Sequence, residues 1–151
     1  MTNDNSRNLL MIGNGNVGRS IMAEAYVNAV ADGTWLAASA GAQPAGKINP
    51  LAALTLAEFD LRPALRSKSW IEFTGPDAPL LDVVITVSEE AAGEACPVWR
   101  GAPRMLHWPL PDPTLAAGTL EDRMAAFRAV FDAIRMNVDR FLAEELSAGA
   151  A

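Results

Sequence analysis

The stretch Met11–Ser20 reads MIGNGNVGRS and places three glycines between an apolar run and an Arg-Ser pair. The run NLLMIG (8–13) predicts a buried parallel strand, and the residues from Arg19 onward predict a helix. A glycine-rich turn between a strand and a helix can point successive N–H groups inward, and the helix adds the positive end of its dipole. Arg19 adds a guanidinium fork that can bond two oxygens of a tetrahedral anion. The sequence therefore predicts an anion-binding turn or, alternatively, a tight turn with a surface arginine.

Strands and helices are predicted to alternate along the rest of the chain. The further predicted strands are TWLAASAG (34–41), DVVITV (82–87) and RMLHWPL (104–110). Helices are predicted from Arg19 to about Ala31, after Asn49, in SEEAAGEAC (88–96), and from Thr119 to about Leu146. This order predicts an α/β fold, an open parallel sheet of about four strands with helices on both faces, in one domain that spans residues 1–151.

Helix caps and packed faces are predicted from local patterns. Asn49, followed by Pro50, and Ser88 are the predicted N-caps of their helices. The first helix is predicted to pack through Met22, Tyr26, Ala29 and Val30. The last helix is predicted to pack through apolar residues spaced by three and four: Met124, Phe127, Phe131, Ile134, Val138, Phe141 and Leu142.

Charge and composition restrict the classes of partner. Twelve lysines and arginines against eighteen aspartates and glutamates give a net charge of −6, which argues against nucleic acid or anionic membranes as partners. The polar start MTNDNSRN and the short apolar runs predict a cytoplasmic protein without a membrane span. Cys96 is the one cysteine, so no internal disulfide forms. No cofactor or metal is predicted, because His107 is the single histidine and has no apparent cluster of partner ligands.

Several phrases of the sequence carry a resemblance to a known family. The chain resembles the low-molecular-weight protein tyrosine phosphatase superfamily, whose loop reads Cys-x5-Arg-Ser, and the residues that match in register are Gly15, Asn16, Arg19 and Ser20. It is most similar to the thioredoxin-coupled arsenate reductase branch, through MAEA (22–25), SAGAQP (39–44), LRSKSW (65–70), AAGEACPVW (91–99) and HWPLPDP (107–113). The resemblance runs from about Asn8 to Phe141 and implies that family's fold.

The resemblance also indicates what the chain lacks. The nucleophilic cysteine of the family stands six residues before the arginine, at the position of Gly13, so the catalytic position is vacant. The reductase branch carries a disulfide onward through two further cysteines, whose positions here are Ser88 and Cys96. Because two of the three thiols are missing, phosphatase or reductase catalysis of the family type is predicted to be absent.

The other site residues follow from the same resemblance. Asp112 matches the general acid and, without a nucleophile, is predicted to be vestigial and to remain as a turn former before Pro113. The aromatic residues of a phosphotyrosine pocket are not matched, so a small inorganic oxyanion (phosphate, arsenate or sulfate) is the predicted partner. The implied oxyanion-binding residues are Gly13, Asn14, Gly15, Asn16, Val17, Gly18, Arg19 and Ser20.

Structural roles are also predicted for several single side chains. Asn16 is predicted to tolerate a left-handed backbone and to brace the loop through its side chain. His107 is predicted to pack near the loop, and Cys96 to be a small buried or half-buried residue. Trp99 and Trp108 are predicted either to line the pocket or to pack in the core or at its rim.

Three functions remain open at the level of sequence. The first, and the one predicted, is a catalytically inactive relative of these enzymes that keeps an oxyanion-binding loop. The second is a phosphatase or arsenate reductase type of enzyme with an altered mechanism or a substituted nucleophile, using Ser20, Asp112 or an activated water. The third is a regulatory module that binds a protein partner.

Overall fold

The computed structural model describes residues 6–93 and 96–150. In these ranges four parallel strands alternate with four α-helices, as the sequence predicts. The elements in chain order are β1 (Arg7–Gly13), α1 (Arg19–Val30), β2 (Trp35–Gly41), α2 (Pro50–Ala57), β3 (Val83–Thr86), α3 (Glu89–Gly93), β4 (Arg104–His107) and α4 (Leu120–Ala150). Two short 3-10 helices, Trp70–Phe73 and Pro113–Leu115, are features that the sequence patterns did not predict.

The four strands form one parallel sheet in the order β2-β1-β3-β4. β1 lies inside the sheet, and its last residue, Gly13, pairs with Gly41 at the end of β2. Because all strands run the same way, their carboxyl ends share one edge of the sheet, where ligands of open α/β sheets bind. The glycine-rich loop that follows β1 therefore starts at this edge.

Helices cover both faces of the sheet, so the predicted fold class is confirmed. Alternate residues of β1 point to opposite faces. Leu9 and Met11 belong to a core that they share with side chains of α1, α2 and α4. Leu10 and Ile12 belong to a second core on the other face, together with Trp70, Trp99 and Ala91 of α3.

The predicted helix caps are present. The side chain of Asn49 accepts a hydrogen bond from the backbone N–H of Leu51 (2.8 Å), and Pro50 occupies the first helical position of α2. Ser88 Oγ accepts from the N–H of Ala91 (3.1 Å) at the start of α3. These bonds satisfy N–H groups that have no partner inside the helix.

The predicted packed face of α1 is wrong in part. Met22 is buried as predicted, but Ala29 and Val30 are exposed. α1 contacts the sheet on one side and α2 and α4 on the other, so its first two turns are buried around most of their circumference. The remaining apolar residues buried on this helix are Ile21, Ala23, Ala25 and Val27.

The last helix, α4, packs as the sequence predicts. Six of the seven predicted residues are buried, namely Met124, Phe127, Phe131, Ile134, Val138 and Phe141. Leu142 is half-buried against the same core, and Val130, which was not predicted, is buried as well. The outward face of α4 is mostly polar, with Leu120, Met136 and Leu146 exposed on it. No helix of the described residues is both long and apolar enough to cross a membrane. The cytoplasmic location remains a prediction.

Phe131 provides a test of this packing. Its side chain is fully buried and meets Tyr26 and Phe59 edge to face, at ring-centroid distances of 5.8 and 5.0 Å. We expect Phe131→Ala to lower the free energy of unfolding by about 3–5 kcal/mol, because it removes buried area and leaves a cavity. Urea denaturation measures the change. Met136→Ala, at a position 63% exposed on the same helix, is the control and should stay within about 0.5 kcal/mol of the original chain. A loss at Phe131 no larger than that of the control would contradict this account of the core.

Candidate functional site

The loop between β1 and α1 is held from behind by the chain that follows β2. Four backbone N–H groups of the segment 42–49 donate to four carbonyl oxygens of the loop, at N···O distances of 2.9–3.3 Å. The donor and acceptor pairs are Ala42 and Gly13, Gln43 and Asn14, Ala45 and Gly15, and Asn49 and Val17. This ladder of bonds, which we call the backing segment contacts, fixes the direction of the loop's carbonyl groups.

The backing segment contacts also fix the direction of the loop's N–H groups. In a trans peptide the N–H of one residue points opposite to the C=O of the residue before it. The N–H groups of Asn14, Gly15, Asn16 and Gly18 therefore point away from the segment 42–49. Among the described residues none of these four N–H groups has a hydrogen-bond acceptor. They form a concave set of donors of the kind that binds anions.

A small cleft lies on the side of the loop to which these N–H groups point. Its volume is about 130 Å³, so it has room for a small ligand rather than a large organic one. No aromatic side chain is among the described residues that line it, in agreement with the absence of a matched phosphotyrosine pocket. The lining residues are Gly13, Asn14, Gly15, Asn16, Val17, Gly18, Arg19, Ser20, Asp112, Pro113 and Thr114. The structure thus brings all the sequence-predicted site residues together around one cleft.

Asn16 braces the loop from inside, as predicted. Its φ of +51° is in the left-handed region, where asparagine is tolerated better than most residues. The side chain is buried, and Nδ2 donates to Oγ of Ser20 (2.9 Å) and to Oγ of Ser39 (3.0 Å). Its Oδ1 accepts from the backbone N–H of Lys68 (2.9 Å). One side chain therefore ties the loop to α1, to β2 and to the segment before the first 3-10 helix.

Glu24 and Lys68 extend this network, and sequence reasoning missed them. Ser39 Oγ donates to Oε1 of Glu24 (2.6 Å), and Nζ of Lys68 lies 3.9 Å from the same oxygen. Burial raises the pKa of Glu24 and lowers the pKa of Lys68, because both charged forms lose water. Glu24 lies in MAEA and Lys68 in LRSKSW, so the phrases that carry the resemblance contained the only available signal.

Arg19 and Asp112 line the cleft next to each other. Arg19 is the first residue of α1, its side chain is only 15% exposed, and Nη1 donates to the carbonyl oxygen of Leu110 (3.0 Å). Nη2 lies 3.8 Å from Oδ2 of Asp112. The other carboxylate oxygen, Oδ1, accepts from the N–H and from Oγ1 of Thr114 (3.0 and 2.7 Å) and so caps the second 3-10 helix. Asp112 therefore does act as a turn former.

Gly13, the position that the resemblance assigns to the nucleophile, ends β1 and lines the cleft. Its backbone is not in the left-handed region, so the position is open to other residues. A Cβ atom on Gly13 would lie 3.0 Å from Oγ of Ser20 and 3.9 Å from the backbone N of Asn16. A side chain at this position would therefore be next to Ser20 and the loop amides.

The remaining candidates lie outside the cleft lining. Nδ1 of His107 is 2.7 Å from Oγ1 of Thr86, and Nε2 is 3.3 Å from Oε1 of Glu89, so the ring packs between its neighbours. Trp99 is buried against Trp70, with ring centroids 6.1 Å apart. Trp108 meets Phe141 at a centroid distance of 6.3 Å, so both tryptophans pack in the core or at its rim. The described part of the chain holds no group of three or more His, Cys, Asp or Glu side chains placed to bind a metal.

Cys96 differs from its prediction. The residue is exposed rather than buried, because it lies in an irregular surface segment before Pro97. Local desolvation raises the pKa of its thiol, which lowers the fraction of reactive thiolate at neutral pH. Ser88, the other relay position implied by the resemblance, is fully buried and caps α3. Cys96 therefore lacks the environment of a reactive thiol, and Ser88 serves as a helix cap.

The structure is an α/β domain with a glycine-rich loop at the carboxyl edge of its sheet, and several N–H groups of this loop have no acceptor among the described residues. A sequence profile of the low molecular weight phosphotyrosine protein phosphatase family matches residues 8–150, and the chain therefore belongs to this family. An arsenate reductase of Halalkalibacterium halodurans is 31% identical over 140 residues, which cover 91% of this chain and 96% of that protein.

Solved structures of arsenate reductases are similar to this chain over most of its length. The arsenate reductase of Archaeoglobus fulgidus has a TM-score of 0.70 at 29% identity, over 89% of this chain and 98% of that one. An arsenate reductase in its phosphate-binding state has a TM-score of 0.73 at 22% identity, over 91% of this chain and 98% of that one. At 22% identity, this second comparison shows a shared fold alone.

Gly41 allows a test of the backing segment contacts. A Cβ atom on Gly41 would lie 2.6 Å from the carbonyl oxygen of Asn14, which is closer than such atoms approach. We expect Gly41→Ala to lower the free energy of unfolding by about 1–3 kcal/mol, because the backbone must move to relieve the clash. Gly15→Ala is the matched control in the same region, since its Cβ would meet nothing closer than 3.8 Å. Urea denaturation of both variants decides the point: equal stabilities would mean that the loop does not depend on this close approach.

Proposed function

We propose that this protein binds a tetrahedral oxyanion (phosphate, arsenate or sulfate) in the loop cleft and no longer transforms it. The observation that carries the proposal is the direction of the loop's N–H groups. Four loop N–H groups have no hydrogen-bond acceptor among the described residues, and they face a small cleft beside the guanidinium of Arg19. A tetrahedral anion supplies the acceptors that these groups lack.

The electrostatics of the cleft support the same proposal. Gly18 caps α1 without a side-chain bond, and no acidic residue lies in the first turn of that helix. The first N–H groups of α1 and the positive end of its dipole are therefore available to an anion. In a chain with a net charge of −6, this local arrangement rather than the overall charge has to attract the ligand. The solved arsenate reductase in its phosphate-binding state has the same fold.

The lack of a nucleophile supports the loss of catalysis. Gly13 has no side chain with which to attack an anion or an ester. Ser20 is 1% exposed, and its Oγ accepts the hydrogen bond from Asn16; in the described residues no general base contacts it, so it is a poor replacement nucleophile. The reductase route is interrupted as well, because Ser88 caps a helix at a position where the resemblance implies a cysteine of the reductase branch. A vacant position 13 also removes the charge of a thiolate, so an anion in the cleft meets less repulsion.

Thermal unfolding in rising phosphate at fixed ionic strength tests the binding. At about one hundred times its dissociation constant, phosphate should stabilise the folded chain by about 2.7 kcal/mol, and Tm should rise by several degrees. Arg19→Ala should remove most of this saturable rise, because it removes the cation of the cleft.

Arg140→Ala is the matched control for that experiment. Arg140 is exposed on α4 and lies outside the cleft lining, so this variant changes the net charge equally and should keep the rise in Tm. A chain whose Tm does not respond to phosphate, arsenate or sulfate would refute the proposed binding.

Restoring a thiol tests the loss of catalysis. We expect no hydrolysis of p-nitrophenyl phosphate by the original chain and measurable hydrolysis by Gly13→Cys. The new Cβ needs Oγ of Ser20, 3.0 Å away, to move by only a few tenths of an ångström, and the loop amides and Arg19 would favour the thiolate form. The thiolate would attack phosphorus, p-nitrophenolate would leave, and water would then release phosphate from the cysteine.

Gly13→Ala is the control, since it adds the same Cβ without sulfur and should stay inactive. Turnover by the original chain that is lost in Asp112→Ala would instead favour an enzyme with an altered mechanism.

A further inference from the structure

The cleft combines several hydrogen-bond donors with a carboxylate oxygen that lacks a donor. The loop N–H groups and the guanidinium of Arg19 are donors. Oδ1 of Asp112 is occupied by the two donors of Thr114, but Oδ2 accepts no hydrogen bond from the described part of the chain. Nη2 of Arg19 lies 3.8 Å from Oδ2, which is too long for a hydrogen bond. This distance also shows that Oδ2 is the oxygen on the Arg19 side of the carboxylate.

We propose that Asp112 makes the cleft selective for oxyanions that carry a proton, such as phosphate and arsenate, over the fully ionised sulfate and selenate. This inference rests on the proposed oxyanion binding and deepens it. Near neutral pH phosphate and arsenate keep at least one O–H, which can donate to Oδ2. Sulfate and selenate are conjugate bases of strong acids and have no proton to donate.

The two classes of anion meet opposite conditions at Oδ2. A protonated oxyanion offers acceptors to the loop amides and Arg19 and one donor to Asp112, so these groups and Oδ2 all find partners. A fully ionised oxyanion brings a negative oxygen against the carboxylate and leaves Oδ2 without a donor. Arg19 does not supply the missing donor, because Nη1 donates to the carbonyl of Leu110 at 3.0 Å and Nη2 lies 3.8 Å from Oδ2. Discrimination by an unfavourable contact with the wrong ligand is a general source of specificity.

The expected size of the effect follows from the exposure of the carboxylate. The side chain of Asp112 is 34% exposed, so water screens part of the repulsion. We expect phosphate to bind on the order of tenfold more tightly than sulfate, which is about 1.4 kcal/mol. Arsenate and selenate should show the same ratio.

Asp112→Asn is the decisive variant. Its amide oxygen can keep the two bonds to Thr114, so the turn is preserved, while the NH2 group replaces Oδ2 and converts the acceptor into a donor. Titration calorimetry at neutral pH and fixed ionic strength should give each protein four dissociation constants, for phosphate, sulfate, arsenate and selenate. These anions form two pairs of similar size, phosphate with sulfate and arsenate with selenate. The variant should gain affinity for sulfate and selenate, and the ratio within each pair should fall towards one.

The controls separate this inference from the proposed function. Asp77→Asn makes the same change of charge at an exposed residue outside the cleft lining and should keep the original ratios. Equal affinity of the original chain for both members of each pair, or unchanged ratios in Asp112→Asn, would overturn the selectivity while leaving oxyanion binding intact. A chain that binds none of the four anions would overturn both. The melting temperature of Asp112→Asn without ligand checks that the variant is folded.

Discussion

The ladder of backbone hydrogen bonds behind the glycine-rich loop determines the rest of the site. The segment that follows β2 donates to four carbonyl groups of the loop, and it approaches closely because Gly41 has no side chain. Since each peptide unit carries its N–H opposite its C=O, holding the carbonyls on one side directs the N–H groups to the other. The form of the cleft and the direction of the N–H groups that face it both derive from this constraint. A chain with an overall negative charge can thereby present a concentrated set of donors.

Features that depend on neighbouring residues could be predicted from the sequence. The apolar runs of β1 and β3, the cap of α2 at Asn49 and the packed face of α4 depend on local pattern, and the structure agrees with each. The loop motif and Asp112, which is more than ninety positions away, were placed in one site through the family resemblance. Sheet topology explains why that succeeds, since parallel strands bring their following loops to one edge.

Features that depend on tertiary surroundings could not be predicted in this way. The burial of α1 comes from contacts on two sides, and a single helical face does not describe it. The bonds that Asn16 makes to Ser39 and to the backbone of Lys68 join residues 23 and 52 positions apart, and no spacing rule reports them. The residue type of Cys96 predicts a buried or half-buried side chain, whereas an irregular surface segment leaves it exposed.

The internal bracing by Asn16 separates the architecture of the loop from its reactivity. Asn16 is bonded to two hydroxyl groups and one backbone amide, and none of these belongs to residue 13. The loop therefore keeps its conformation without a side chain at residue 13, the position that the resemblance assigns to the nucleophilic sulfur. Because these bonds do not involve residue 13, a change of side chain at that position leaves the bracing of the loop in place. Under the proposed function, recognition of an anion and attack on it depend on different residues of one loop, so selection can act on each separately.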